Sequence, residues 1–431
     1  MNYRTCVVTI LVGLLLVGCG GNNDSPSPRG KLIGAPTEKS TQSIAQLNNA
    51  TTASGLQVLT GPAKCDVRVV QINYQTPGAQ AGEMSNASAA LFVPGGTDPD
   101  CQGPLPLVAF ARGTNLEKAH TNAMDLSDPT AMLLMTFFAS QGYAVVATDY
   151  LGYALSSYPY HPYTHADTEA NTVIDSIRAA RNAASALGCT LNGKVMVSGF
   201  SQGGHAAMAT HRAIERDHAG EFNLVAAAHL AGAYQVALAL VDGVANPILG
   251  VQYFVPYQIT AWQKVYGNLY ANASDVFNTP YDTFIDGLFP AVNFPADLAK
   301  LPSAATTPAA ARDAVFKPAY LTDLATNPNN ATIIAAKKQD LLGWDPKAPT
   351  KLCSGSGDPV VKFTLHTQAA YNDFRSRGGA NVSLVDVNAT IEALHGTVLA
   401  NDPATYYKNY HSTYEAPLCS SEARKFFDQY K

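Results

Sequence analysis

Residues 194–209 read KVMVSGFSQGGHAAMA. The opening KVMVS is a short apolar run of the kind a strand covered on both faces requires. From Gln202 to about Glu215 the composition is helical. Between them stands Gly199-Phe200-Ser201-Gln202-Gly203, a G-x-S-x-G motif placed between a strand and a helix, the context in which that motif carries chemistry. A serine at the apex of such a strained turn has its hydroxyl pushed outward, and side chains two residues to either side would collide, hence the glycines. The turn also aims the backbone N–H of Gln202, at the helix N-terminus, toward an oxyanion forming on a substrate. A plain Gly-Ser loop is the competing reading; both flanks favour a nucleophile.

Working outward, the same rhythm recurs. Alternation over 67–73 and the run 87–93, closed by Pro94-Gly95-Gly96, predict strands. LPLVAFA (105–111) and YAVVAT (143–148) predict buried strands, and 131–140 and 169–187 predict helices, with Gly142 and Gly188 as stops. Residues 224–230 follow as a strand. From 236 to 345 the pattern breaks into a stretch rich in Tyr, Phe, Asn and Pro. Strand and helix then return at 351–354, 364–377 and 383–387, with a last helix at 420–430. Short apolar strands alternating with helices predict an α/β fold, a mostly parallel sheet covered on both faces.

A serine hydroxyl needs a general base oriented by a carboxylate, and in this context the partners follow in the order Ser, acid, His. Asp358, in GSGDPVV after the strand at 351–354, is the expected acid, with Asp386 as runner-up. His395, read as lying in a loop beyond 387, is the expected base. His366 falls in a helix, and His411 has no evident loop context but stays open. The loop after 105–111 (Arg112-Gly113-Thr114-Asn115) offers the Thr114 N–H as a second oxyanion donor beside Gln202. Tyr150, in DYLGY after the strand at 143–148, is expected to line the site or donate its hydroxyl there, and Asp149 to brace loops. His161, His165 and His205 read as packed structural residues.

The chain has 431 residues, a net charge of −5 and only 14% charged residues, with no basic stripe, which argues against nucleic acid as a partner. At the N-terminus, Arg4, an apolar run over 7–17 and Leu16-Val17-Gly18-Cys19 resemble a bacterial lipobox, so residues 1–18 are expected to be a signal peptide and Cys19 a lipid anchor. That predicts an exported lipoprotein at the outer membrane or cell surface. Residues 19–60 read as a flexible tether. Of seven cysteines, five remain beyond the signal and anchor. The expected disulfides are Cys65–Cys101 and Cys353–Cys419, each joining segments near one another in the expected fold, with Cys189 a buried free thiol. Metal binding is the weaker reading of the cysteines, because no C-x-x-C spacing occurs among them.

Together VVATDYLGYALSSYPYHPY, the helix bearing DSIRAAR and KVMVSGFSQGGHAAMA resemble bacterial α/β-hydrolases related to the secretory lipase (lipase A-like) family, over about residues 65–235 and 350–400. The resemblance implies an α/β-hydrolase fold: a core of residues 61–235 and 346–431, with an inserted, mainly helical cap over 236–345 that forms the acyl pocket. It implies a serine esterase or lipase acting without a cofactor on a small-molecule or lipid ester, with the triad falling on Ser201, Asp358 and His395. Arg112 stands where many relatives carry the His of His-Gly-Thr. Two other functions fit the same residues: amide or peptide hydrolysis, and an inactive anchored binding protein.

Overall fold

The computed structural model describes residues 29–431, so the signal and Cys19 lie outside the described residues. Among the described residues nine strands form one sheet in the order β1-β2-β3-β5-β4-β6-β7-β8-β9. They are β1 (Thr37–Gln42), β2 (Asp66–Pro77), β3 (Met84–Gly95), β4 (Leu105–Ala111), β5 (Ala144–Tyr150), β6 (Leu191–Phe200), β7 (Asn223–Leu230), β8 (Thr350–Ser354) and β9 (Val382–Asp386). The first three are antiparallel, β3 pairs antiparallel with β5, and β4 to β9 run parallel to their neighbours.

Side chains alternate across the sheet as the two-residue period demands. From β4, Val108 and Phe110 join one core cluster with Phe138 and Phe427, whereas Leu107, Ala109 and Ala111 join another with Val173, Ile177 and Ile214. Helices Ala166–Ala184 and Gln202–Asp217 cover the second face; the turns from Pro129 to Gln141 and helix Ala416–Phe427 cover the first.

β4 lies between β5 and β6, so the chain leaves to one side and returns on the other. Ligands in open α/β sheets bind at such a reversal, outside the strands' C-terminal ends. The loop after β4 and the turn after β6 meet at this point. Between β7 and β8 lies the cap, whose helices (among them Val236–Ala245, Val251–Tyr266 and Pro318–Thr326) pack round their own cluster, including Trp262, Tyr257, Phe277 and Leu324.

Two expectations need correction. Residues 37–60 do not form a free tether: β1 pairs with β2, and helix Ile44–Ser54 carries a Ser43–Gln46 capping box and buries Leu47 in the core. Polar composition concealed an edge strand, whose outer face is solvated. Both disulfides form as expected, Cys65–Cys101 and Cys353–Cys419, but free Cys189 is only partly buried.

Candidate active site

Ser201 stands between β6 and helix Gln202–Asp217 with φ 61° and ψ −123°, conformational strain that a side chain tolerates only when its surroundings enforce it. They do so here through Ser201 N–H to Leu230 O (3.0 Å) and Gly204 N–H to Ser201 O (2.8 Å). A Cβ on Gly199 would fall 2.1 Å from Gly203 O, and one on Gly203 would fall 1.8 Å from Ala111 O. Only glycine permits β4, β6 and the helix to approach this closely.

His411, not His395, meets the serine. Ser201 Oγ donates to His411 Nε2 at 2.8 Å, and His411 Nδ1–H donates to Asp358 Oδ2 at 2.7 Å. Asp358 follows β8, is buried, and also accepts the Val360 N–H at 2.8 Å. The imidazole packs on the Phe200 ring at 4.7 Å. Burial works against the imidazolium, but the Asp358 carboxylate and its hydrogen bond outweigh it and hold His411 above the usual imidazole range.

His395 was misplaced because residues 388–401 are not a loop. They form helix Asn388–Asn401, and His395 stacks on Tyr414 at 3.7 Å. The His395-Gly396 pair reads as a break, yet this helix carries its glycine internally. His411 lies in a π-helical segment, Tyr410–Glu415, where a widened turn aims both His411 and Glu415 at Asp358. A signal was present: the expected Cys353–Cys419 bond ties the segment after His411 to β8, just before Asp358. The runner-up acid, Asp386, instead accepts the N–H groups of Ser356 and Asn388, at 2.9 Å each.

The floor of the site is a buried polar network. The Gln202 side chain donates to His161 Nε2 (2.6 Å) and Glu169 (2.7 Å), and Glu169 accepts from His205 Nδ1 (2.6 Å). His161 Nδ1–H donates to Leu151 O at 3.0 Å. Burial, then the Arg112 charge, push His161 far below the usual range, so its Nε2 stays an acceptor. This fixes the first turn of the helix and hence the Gln202 N–H.

Tyr150 does not line the site. It is 1% exposed, and its hydroxyl donates to Arg112 O at 2.9 Å, bracing the loop after β4 from behind. Arg112 is turned back in the same way. Its buried guanidinium lies 4.3 Å from the Tyr153 ring centre and donates to Gly113 O and Asp149 O. Asp149 accepts from Ser88, Thr121 and Asn122. His366 is buried and accepts the N–H groups of Tyr234 and Gln235.

Ser201, Gln202 and Thr114 line one end of a cavity of about 110 Å³. It runs under the cap along one face of helix Val236–Ala245, touching Val236, Leu240 and Val244, and is closed round by Val251, Phe254 and Leu324. From Val236 to Val244 the helix advances about 12 Å. The lining is mostly apolar, with Ser201 as its reactive group and Asp242, Arg312 and Lys362 also bordering it.

Comparisons with known proteins bear on the family and the fold. Residues 118–250 match the family model described as "Secretory lipase". The rice cell wall degrading esterase LipA from Xanthomonas oryzae is 32% identical, with a TM-score of 0.81 over 94% of this chain and all of that one. Lipase A from Candida antarctica, 17% identical, shares the fold with a TM-score of 0.56 over 89% of this chain and 83% of that one. A secreted triacylglycerol lipase of Malassezia furfur is 26% identical over 164 residues, 37% of this chain and a third (33%) of that curated relative's length.

Proposed function

Because the chain belongs to the secretory lipase family, as its full-length likeness to a bacterial esterase shows, we propose that it hydrolyses carboxylic esters through an acyl-enzyme on Ser201. One observation carries the reading: Ser201, His411 and Asp358 are joined by hydrogen bonds of 2.8 and 2.7 Å at the reactive end of an apolar cavity.

In the first half-reaction Ser201 Oγ attacks the ester carbonyl while His411 Nε2 takes its proton. The oxyanion is held by the N–H groups of Gln202 and Thr114, fixed in advance by the network under Gln202 and the braced loop after β4. The tetrahedral intermediate collapses, the C–O bond to the alcohol breaks, and the proton on Nε2 leaves with the alcohol. Water then gives a proton to His411 and its hydroxide adds to the acyl carbon. A second collapse frees the acid and returns the proton to Ser201. Throughout, Asp358 holds the ring and stabilises the imidazolium.

The acyl chain lies along helix Val236–Ala245. At about 1.3 Å per zigzag C–C bond, the ~12 Å path takes a chain of roughly nine bonds. Export of the chain and anchoring through Cys19 belong to the same proposal, supported by the family's secretory members and the lipobox-like LVGC. Among the described residues no helix is long and apolar enough to cross a membrane.

Ser201→Ala is expected to lower kcat on a short-chain aryl ester by roughly 10⁶-fold, because triad members act as a unit. Turnover near wild type in that variant, or faster cleavage of a peptide amide than of the matching ester by the wild-type protein, would overturn the reading.

A further inference from the structure

Beside the Asp358–His411 pair lies a second buried acid that no step above uses. Glu415 is 0% exposed and follows His411 by four residues on the same side of the π-helical turn. Its Oε1 accepts the Gly355 N–H at 2.5 Å. Its Oε2 lies 3.4 Å from His411 Nδ1 and has no hydrogen-bond partner among the described residues. One side-chain oxygen or nitrogen from each of Asp358, His411 and Glu415 falls within 4.8 Å of the others.

Nδ1 carries one hydrogen, which Asp358 accepts at 2.7 Å. None is left for Glu415. An ionised Glu415 would therefore bury a bare carboxylate oxygen against a second carboxylate, its desolvation left uncompensated. Two carboxyls in one dry site do not both ionise; one keeps a proton. A proton on Glu415 Oε2 removes the like charge and turns an unsatisfied acceptor into a donor facing Asp358.

We infer that Glu415 holds a proton and donates it as a hydrogen bond to Asp358, acting as a positioning residue that fixes the carboxylate orienting His411. The inference rests on the Ser201–His411–Asp358 reading. It leaves His411 facing one negative charge instead of two, so the imidazole can be the neutral base that attack by Ser201 needs. The electrostatics agree. Burial first, then the Asp358 charge, push Glu415 up to about 8. Burial opposes ionisation of Asp358 too, but the charge and hydrogen bond of His411 and the hydrogen bond from Glu415 bring it below the usual carboxylate range. The other titratable groups facing the pair are uncharged. Tyr234, after β7, and Tyr410, on the π-helical turn, are phenols raised by burial, and His366, beside Asp358, is lowered by burial to about 4. Lys362, near His366, is paired with Asp242.

The test compares Glu415→Gln and Glu415→Leu in the full-length enzyme with a short-chain aryl ester, alongside infrared difference spectra of the wild type. Gln supplies an N–H donor in the same place; Leu supplies none. The wild type is expected to show a protonated-carboxyl C=O band below pH 8 that fades above it and is missing in Glu415→Gln. Losing a hydrogen bond to a charged group, Glu415→Leu should drop kcat roughly 10–100-fold with little change in KM, and Gln should restore most of it. The inference is overturned if Gln is as damaging as Asp358→Asn, which would make Glu415 an ionised orienter. It is also overturned if Leu leaves kcat unchanged, or if no band distinguishes wild type from Gln. Failure of the triad reading looks different: Ser201→Ala would then retain turnover whatever the infrared spectra show.

Discussion

Two histidines sixteen positions apart illustrate what a single residue contributes. His411 has a serine on one nitrogen and a carboxylate on the other, whereas His395 has a tyrosine ring against its face. His411→Ala is expected to cost roughly 10⁶-fold in kcat, as removal of a triad base does. His395→Ala should leave ester turnover near wild type and destabilise the fold by about 0.5–1.5 kcal/mol, the worth of an aromatic pair. Kinetics and thermal unfolding of the two variants decide the matter. The pH profile follows with a definite sign. The base works only as neutral imidazole, and its neighbours favour the imidazolium. Activity (kcat/KM) should therefore fall as pH drops through a midpoint above the unperturbed value of about 6.5. A midpoint below that value would contradict the charge environment described for His411.

Among elements, the C-terminal segment is set by a covalent tie. Helix Ala416–Phe427 carries Cys419, bonded to Cys353 in β8, so the disulfide fastens the π-helical turn bearing His411 next to the loop bearing Asp358. The other bond, Cys65–Cys101, lies far from the triad in the chain and clamps the start of β2 to the short helix Pro99–Gln102. Closing loops of 36 and 66 residues, each is worth about 4 kcal/mol on the chain-entropy account. Replacing either pair by serine should lower stability by a similar amount. Only the Cys353/Cys419 replacement should also lower kcat at temperatures where both proteins remain folded. Equal loss of kcat in the two double variants, measured at matched fraction folded, would show that the tie does not position the base.

For the molecule as a whole, the core carries the chemistry and the cap carries the cavity. The two are joined near the acid: Leu249 N–H in the cap donates to Pro359 O, one residue past Asp358. Leu240 stands midway along the cavity-lining face of helix Val236–Ala245. Leu240→Trp is expected to block the far half, lowering kcat/KM about tenfold or more for an acyl chain of about ten carbons and little for one of about four; a missing or misfitting methylene alone is worth about 10–200-fold. An unchanged chain-length profile would place the acyl group outside this cavity.

The sequence alone determined the strand–turn–helix around Ser201, the alternation that makes the sheet and the loop position of Asp358. These are legible because each is local: a period of two or 3.6, glycines where backbones meet, a turn after an apolar run. Only the tertiary structure decided that His411 meets Ser201 and Asp358, that Tyr150 and Arg112 brace the loop after β4, that residues 37–42 join the sheet, and that Glu415 stands beside His411. Those outcomes depend on groups far apart in the chain, 210 residues in the case of Ser201 and His411. No periodicity records such a meeting; it is fixed by how the last helices pack against the sheet.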